Sequence, residues 1–172
     1  MDCIHRYDSP LGGITLASDG GALTGLRFDG GRYSASAPAR PCGEADLPIF
    51  GEACRWLDLY FSGKAPDFSP KLAPRGTAFS RIVWDILLTV PYGETVTYGE
   101  IAGRVAEAAR VPRMSAQAVG GAVSRNPIAL IIPCHRVVGA GGRLTGYAGG
   151  TERKALLLDL ENPAGDRRNR IK

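Results

Sequence analysis

The chain has 172 residues, 44% of them hydrophobic and 22% charged, with a net charge of +4. No segment approaches the roughly 18 apolar residues of a membrane span, and the N-terminus carries Asp2 and no signal-peptide core, so a cytoplasmic protein with no membrane partner is expected. The four cysteines, Cys3, Cys42, Cys54 and Cys134, lack the paired spacing of a zinc knuckle or a redox Cys-x-x-Cys site, and although Cys3 and His5 could donate two ligands, no metal is expected.

The charge is unevenly placed. Residues 1–73 hold seven Lys and Arg against nine Asp and Glu, a net −2, whereas residues 74–172 hold fourteen against eight, a net +6. A basic C-terminal half fits a polyanionic partner such as DNA, although Arg167, Arg168 and Arg170 lie in a polar tail that solvent alone could accommodate.

Taken in order, residues 1 to about 28 read as strands of a small antiparallel sheet, with alternation at Ile14–Ala17 and from Leu23 to Phe28 around the turn Asp19-Gly20-Gly21. Residues 29–46, rich in Gly, Ala, Ser and Pro, read as a loop. From Pro48 to Phe61, Phe50, Ala53, Leu57, Tyr60 and Phe61 recur at helical spacing, and Ser62-Gly63 supplies the stop. Pro66, Pro70, Pro74 and Gly76 then interrupt any helix, which places a domain boundary between residues 73 and 74.

The second half opens with Thr77 as an N-cap, followed by a helical stripe of Phe79, Ile82, Val83, Ile86 and Leu87 that Trp84 joins as packing. Thr97-Tyr98-Gly99-Glu100 is a capping box for a helix to about Ala109, with Ile101, Val105 and Ala108 facing inward. A break at Val111–Met114 leads to Ser115, another N-cap, and a short helix to about Ser124, so the pair resembles a helix-turn-helix. This last helix is slim, with Ala116, Ala118, Gly120, Gly121 and Ala122, and its two glycines cost about 1 kcal/mol each relative to alanine, so something must approach closely. A neighbouring helix would explain it as well as DNA would. The flanking Arg110, Arg113 and Arg125, which can neutralise phosphates, tip the reading to DNA.

The most informative stretch is Ile128–Gly139. Five apolar residues between Asn126-Pro127 and Pro133 predict a short strand buried on both faces, ending on the thiol of Cys134. A lone cysteine beside an apolar run is usually inert packing. Here His135, a potential base, and Arg136 follow at once, and a nearby imidazole or cation lowers a thiol pKa, so Cys134 is read as a nucleophile. Two glycine-rich loops follow, Gly139–Gly142 and Gly146–Gly150, and Thr151 can cap a final helix with Leu156, Leu157 and Leu160 inward and Glu161 at its end. A carboxylate there faces the negative end of the helix dipole, and a histidine partner would explain it.

Pro133-Cys134-His135-Arg136-Val137-Val138 resembles the active-site signature of the methylated-DNA–protein-cysteine methyltransferases, which remove alkyl groups from O6 of guanine. The resemblance runs from Tyr92-Gly93 through Asn126-Pro127 to Gly146-Tyr147 and Glu161, and more weakly through Asp8–Gly12 and Tyr60–Gly63. It implies an α/β (α+β) fold: a ribonuclease-H-like support domain of a small sheet plus a helix over residues 1–73, and a mostly helical domain with a helix-turn-helix and a short active-site strand over 74–172. It implies stoichiometric, cofactor-free alkyl transfer from O6-alkylguanine in double-stranded DNA to Cys134 by a monomer, with the base flipped out through the minor groove; O4-alkylthymine stays open as a second substrate.

On that resemblance Glu161 orients His135, His135 acts through a water to deprotonate Cys134, Tyr98 gives guanine its proton, and Asn126 braces the turn carrying Cys134. The carbonyls of Cys134 and Val137 accept from the guanine amino group, and Tyr147, Ala148 and Gly149 line the base pocket. Ser115, Ala116, Gln117, Ala118, Gly120, Gly121, Arg113, Arg125 and Arg136 are expected on DNA. Many relatives carry an arginine where this chain has Gln117. Each assignment has a plainer alternative: Tyr98 and Tyr147 as core aromatics, Asn126 as the turn residue before Pro127.

Three rival functions are weighed. A cysteine hydrolase would need His135 on the thiol, yet successive side chains of an extended segment point to opposite faces. A non-reactive lesion-binding relative has its cysteine replaced. A transcription regulator needs base-reading groups that the alanines and glycines of 116–122 lack.

Overall fold

A computed structural model describes residues 2–31, 39–42 and 47–165. The described residues fall into two compact units, one reaching Arg75 and including Pro127–Ala129, the other comprising Gly76–Asn126 and the chain from Leu130 onward.

In the first unit, β1 (Asp2–Ser9), β2 (Gly12–Ser18), β3 (Leu23–Phe28) and β4 (Ala39–Pro41) form a sheet of order β3-β2-β1-β4. Strand alternation puts Ile14 and Leu16 of β2 and Leu26 and Phe28 of β3 into the core. The sheet is not wholly antiparallel: β4 lies within the span read as loop and pairs parallel to β1, with Cys3 opposite Arg40. Three residues between a glycine-rich and a proline-rich stretch carry too little alternation to announce a strand. Residues 32–38 and 43–46 of that span lie outside the described set. Cys3 and Cys42, which sequence spacing did not pair, are joined as a disulfide with Cα atoms 5.6 Å apart, beside the β1–β4 ladder. Helix α1 (Pro48–Phe61) starts on Pro48, packs Phe50, Ala53, Leu57 and Tyr60 inward, and stops at Ser62 and Gly63, whose φ of +88° suits glycine.

The second unit contains α2 (Ala78–Leu87), β5 (Val96–Thr97), α3 (Tyr98–Ala109), α4 (Ala116–Ser124), β6 (Val137–Val138) and α5 (Thr151–Glu161), with 3₁₀ turns at Cys134–Arg136 and Ala140–Gly142. Three of the four expected caps are present. Thr77 Oγ1 accepts from Ser80 N at 3.1 Å, the Thr97–Glu100 capping box closes in both directions, and Ser115 Oγ accepts from Ala118 N at 3.2 Å. Helices α2, α3 and α4 pack on one another, and Trp84 of α2 donates its indole N–H to Ala122 O of α4 at 3.0 Å.

Several expectations need correction. Residues 128–132 are not a strand: Ile128 makes an isolated bridge to Leu26, residues 129–131 turn, and Leu130 has a left-handed φ of +69°. The run is apolar because it is buried, which periodicity alone could not separate from a strand. Ala108 is exposed, and Ala102 and Ala106 take the inward positions of α3. Gly150 rather than Thr151 is the N-cap of α5, and its buried face is Lys154, Leu157, Leu158 and Glu161, with Leu156 51% exposed.

Removing the Thr77 cap leaves donors at the start of α2 unsatisfied while touching nothing at the thiol. Thr77→Ala should lower the unfolding free energy by about 1 kcal/mol, read by urea denaturation, with the reactivity of Cys134 unchanged.

Candidate active site

The geometry around Cys134 begins with Pro133. Its φ and ψ of −82° and 65° are those of an inverse γ-turn, closed by Cys134 N donating to Ile132 O at 2.8 Å. The chain then coils into the 3₁₀ turn, with Arg136 N donating to Pro133 O at 3.0 Å and Val137 N to the Cys134 carbonyl. Three residues per turn sends the side chains of Cys134, His135 and Arg136 in three directions, so the separation of thiol and imidazole rests on helical and not on extended geometry. Val137 and Val138 then pair in parallel with Val96 and Thr97, fixing the turn to the start of α3.

Asn126 braces this arrangement. Its Nδ2 donates to Ile132 O at 2.8 Å, and its side chain also bonds the Cys134 thiol, an interaction that favours thiolate. Burial nevertheless dominates and pushes the thiol above its ordinary pKa, opposed by Asn126, by the charge of Lys154 and by the backbone N–H groups of Cys134 and His135. The resting thiol is therefore protonated at neutral pH, with thiolate-stabilising groups already around it.

His135 is fully buried, and its Nε2 lies 2.8 Å from Glu161 Oε1. Desolvation pulls its pKa below the usual imidazole value despite the opposing carboxylate, so the ring is uncharged and can accept a proton. Glu161 is thus the carboxylate whose place at the end of α5 called for a partner, and His135 is joined there by Arg136. The guanidinium of Arg136 donates to it from Nε at 3.0 Å and from Nη2 at 2.7 Å, while Nη1 reaches Val90 O at 2.7 Å. Desolvation alone would raise the Glu161 pKa, but its hydrogen bonds and ion pairs with His135 and Arg136 outweigh it and hold the carboxyl at about 2. Arg136, expected on DNA, is instead 8% exposed and spent on this pair, because a buried carboxylate must be matched by charge.

Tyr98 sits at the first turn of α3. Burial raises its phenol pKa, offset in part by a hydrogen bond with Thr145, and keeps it a proton donor. The hydroxyl of Tyr147 is buried with no hydrogen-bond partner among the described residues, a state that costs about 1–3 kcal/mol until something fills it. Ala148 and Gly149 are half-buried next to it, and Gly149 O accepts from Arg153 Nη1 at 3.1 Å. Val137 is fully buried.

Lys154 was missed by sequence reasoning. It is completely buried, donates from Nζ to Thr145 O at 2.9 Å and lies 5.9 Å from the centre of the Tyr98 ring. Its spacing with Leu157, Leu158 and Glu161 is that of one helix face, a signal hidden because both ends of the stripe are charged.

Ser115, Ala116, Gln117 and Ala118 are exposed at the start of α4, as are Arg113 and Arg125. A side chain at Gly120 would meet the Tyr98 ring at 3.8 Å, an ordinary contact, and one at Gly121 would meet the flexible end of Arg125 at 3.3 Å. The protein's own packing therefore demands neither glycine. Among the described residues, no group of three or more His, Cys, Asp and Glu could hold a metal ion.

Residues 4–74 match the profile of the 6-O-methylguanine DNA methyltransferase ribonuclease-like domain, and residues 78–163 match that of the 6-O-methylguanine DNA methyltransferase DNA binding domain. The chain belongs to this methyltransferase family. Methylated-DNA–protein-cysteine methyltransferases of Mycobacterium tuberculosis and Methanosarcina acetivorans are 47% and 46% identical to it, covering 91% and 90% of this chain and 90% and 95% of theirs. The solved structure of Mycobacterium tuberculosis OGT in complex with DNA superposes with a TM-score of 0.82 at 42% identity, covering 96% of both chains. The mixed α/β architecture, with a small N-terminal sheet and a helical C-terminal part, is therefore the methyltransferase fold.

Glu161→Gln would leave the buried Arg136 guanidinium short of a counter-charge, which should cost about 3 kcal/mol or more near neutral pH. Because folding depresses the Glu161 pKa from its ordinary 4.5 to about 2, its contribution is complete above pH 4.5 and disappears as the pH falls through 2. Urea unfolding of wild type and variant should therefore differ most near neutral pH and converge between pH 4.5 and 2.

Proposed function

We propose that this chain repairs DNA directly, transferring the alkyl group of O6-alkylguanine to Cys134 Sγ once per molecule. The observation that carries the reading is the thiol itself, held by Asn126 on one side and followed by a buried, uncharged imidazole anchored on Glu161. The name of the relatives and the DNA in the Mycobacterium tuberculosis OGT structure support the substrate.

The carbon under attack is inaccessible inside a base stack, so the guanine leaves the duplex for a pocket bounded by Tyr98 and the Tyr147–Gly149 loop. His135 takes the thiol proton through an intervening water, Glu161 holding the ring and offsetting the charge it gains. The thiolate lone pair forms the S–C bond as the C–O6 bond breaks, and the electron pair of that bond passes to guanine, which takes a proton from Tyr98. Tyr98 recovers a proton from His135 through solvent, so in balance the thiol proton ends on guanine. The Val137 carbonyl accepts from the guanine amino group. That of Cys134 already receives Val137 N and has one lone pair left for the base. The unsatisfied Tyr147 hydroxyl is a further group for the flipped base. A thioether has no base able to expel it, which makes the transfer irreversible and free of any cofactor.

Helices α3 and α4 act as the helix-turn-helix, with the slim face of α4 entering the minor groove. Its glycines are explained by an approach from outside, since nothing inside requires them. Arg113 and Arg125 meet phosphates. The first unit acts as support, and the protein works as a monomer in the cytoplasm.

Incubation with an O6-methylguanine duplex should add one methyl group to Cys134 and none to Cys3, Cys42 or Cys54, read by intact mass and peptide mapping. A mark elsewhere, or none, sinks the proposal. His135→Ala should slow transfer by about 10² to 10⁴ without weakening DNA binding.

Gln117 can hydrogen-bond the base left unpaired by flipping but lacks the stacking plane of a guanidinium. Gln117→Arg should speed reaction with duplex DNA and leave reaction with free O6-benzylguanine unchanged. A common factor on both substrates would show that position 117 does not support extrusion.

A further inference from the structure

Cys3 and Cys42 are joined at the outer edge of the first unit's sheet, where the ladder is short. β1 pairs with β2 from Cys3 to Ser9 but with β4 only from Asp2 to Ile4, and Pro41 within β4 has no N–H to give. Just past β4, Cys42 N donates to Ile4 O at 2.9 Å, and His5, on the same face of β1 as Cys3, donates from Nδ1 to Cys42 O at 3.2 Å. A strand this short closes few ladder bonds, whereas a disulfide between residues 39 apart removes the entropy of a long loop from the opened state. The two sulfurs differ in access, since Cys3 is 7% exposed and Cys42 is half-buried.

We propose that Cys3 and Cys42 form a thiol–disulfide exchange site that clasps β4 to the sheet when oxidised and releases it when a small-molecule thiol reduces the bond. The inference is independent of alkyl transfer to Cys134. Disulfides that form in a reducing compartment, such as the cytoplasm proposed for this chain, are characteristically transient and redox-sensing, whereas a permanent staple belongs to secreted proteins. In the reducing direction a thiolate attacks the more accessible Cys42 Sγ, forming a mixed disulfide as the Cys3–Cys42 bond breaks, and the electron pair of that bond leaves on Cys3 Sγ, which takes a proton. A second thiol attacks the sulfur of the first and releases Cys42 as a thiolate, which is protonated in turn. Two external thiols thereby become one external disulfide, and the protein gains two electrons and two protons. An external disulfide drives the same steps in reverse. With the bond open, β4 is left to its short ladder, and its departure uncovers the backbone groups of Asp2–Ile4 on the outer edge of β1.

The test equilibrates the full chain, from both its oxidised and its reduced form, in glutathione buffers stepped from fully reduced to fully oxidised. Free thiols are then blocked with iodoacetamide and the Cys3 and Cys42 peptides read by mass spectrometry, while amide exchange of the two forms is followed by NMR. Both peptides should pass together from disulfide to blocked thiols within the range. On reduction the Cys42 amide should exchange about tenfold faster or more, whereas the Asp29 amide, which donates to Gly13 O at 2.9 Å, should keep its rate. Cys3→Ser and Cys42→Ser, studied without glutathione, should each show the fast amide at position 42, and agreement between them separates loss of the bond from the local effect of either substitution. A pair that stays joined in reduced glutathione is a fixed staple, and a pair that stays as thiols in oxidised glutathione forms no clasp. An amide at position 42 whose rate is unchanged by reduction means that the bond does not hold β4. Each of these three results would overturn the proposal.

Discussion

The arrangement depends on one buried carboxylate. Glu161 closes α5 where a negative charge is least welcome, and it is held there by His135 and Arg136, consecutive residues of the turn that begins with Cys134. Neither partner could be lost cheaply, because each would leave a charge or an oriented polar group buried without its match. The interaction ties the last helix to the thiol turn and fixes which ring nitrogen of His135 faces the carboxylate. The same charge that stabilises the fold sets the imidazole for proton transfer.

Around that anchor the chemistry is one of restraint. Burial keeps the thiol protonated until a substrate arrives, while Asn126, the backbone donors of the 3₁₀ turn and Lys154 stand ready to favour the anion. A thiolate exposed at all times would be open to oxidation and stray electrophiles. The inverse γ-turn at Pro133 and the left-handed Leu130 bring Cys134 to this position, and such costly backbone states persist where the surrounding packing over-determines them.

Much of this was legible in the sequence wherever local chemistry leaves a mark. The caps at Thr77, Thr97 and Ser115 were readable because an N-cap is a rule about one side chain and the donor three residues on. Glu161 was readable as an anomaly, a charge on the wrong end of a helix. What could not be read was whatever depends on burial from all sides. The apolar run at 128–132 looks like a strand but is a buried turn, and β4 is too short to show alternation. Arg136 looked like a phosphate contact because arginines on a basic half usually are, and only the fold brings it to Glu161. Lys154 failed for the opposite reason, since an apolar-stripe reading of α5 selects its leucines and passes over a lysine that shares their buried face.

The central claim is that Cys134 is a stoichiometric acceptor and not a turnover catalyst. Its most direct measurement is the amount of methyl transferred when a fixed quantity of protein meets a large excess of O6-methylguanine duplex over a long incubation. The account predicts that transfer rises with time and stops at one methyl per active molecule, with all activity lost at that point. Continued repair beyond that ratio would mean that the sulfur is regenerated, and would contradict an irreversible thioether on Cys134.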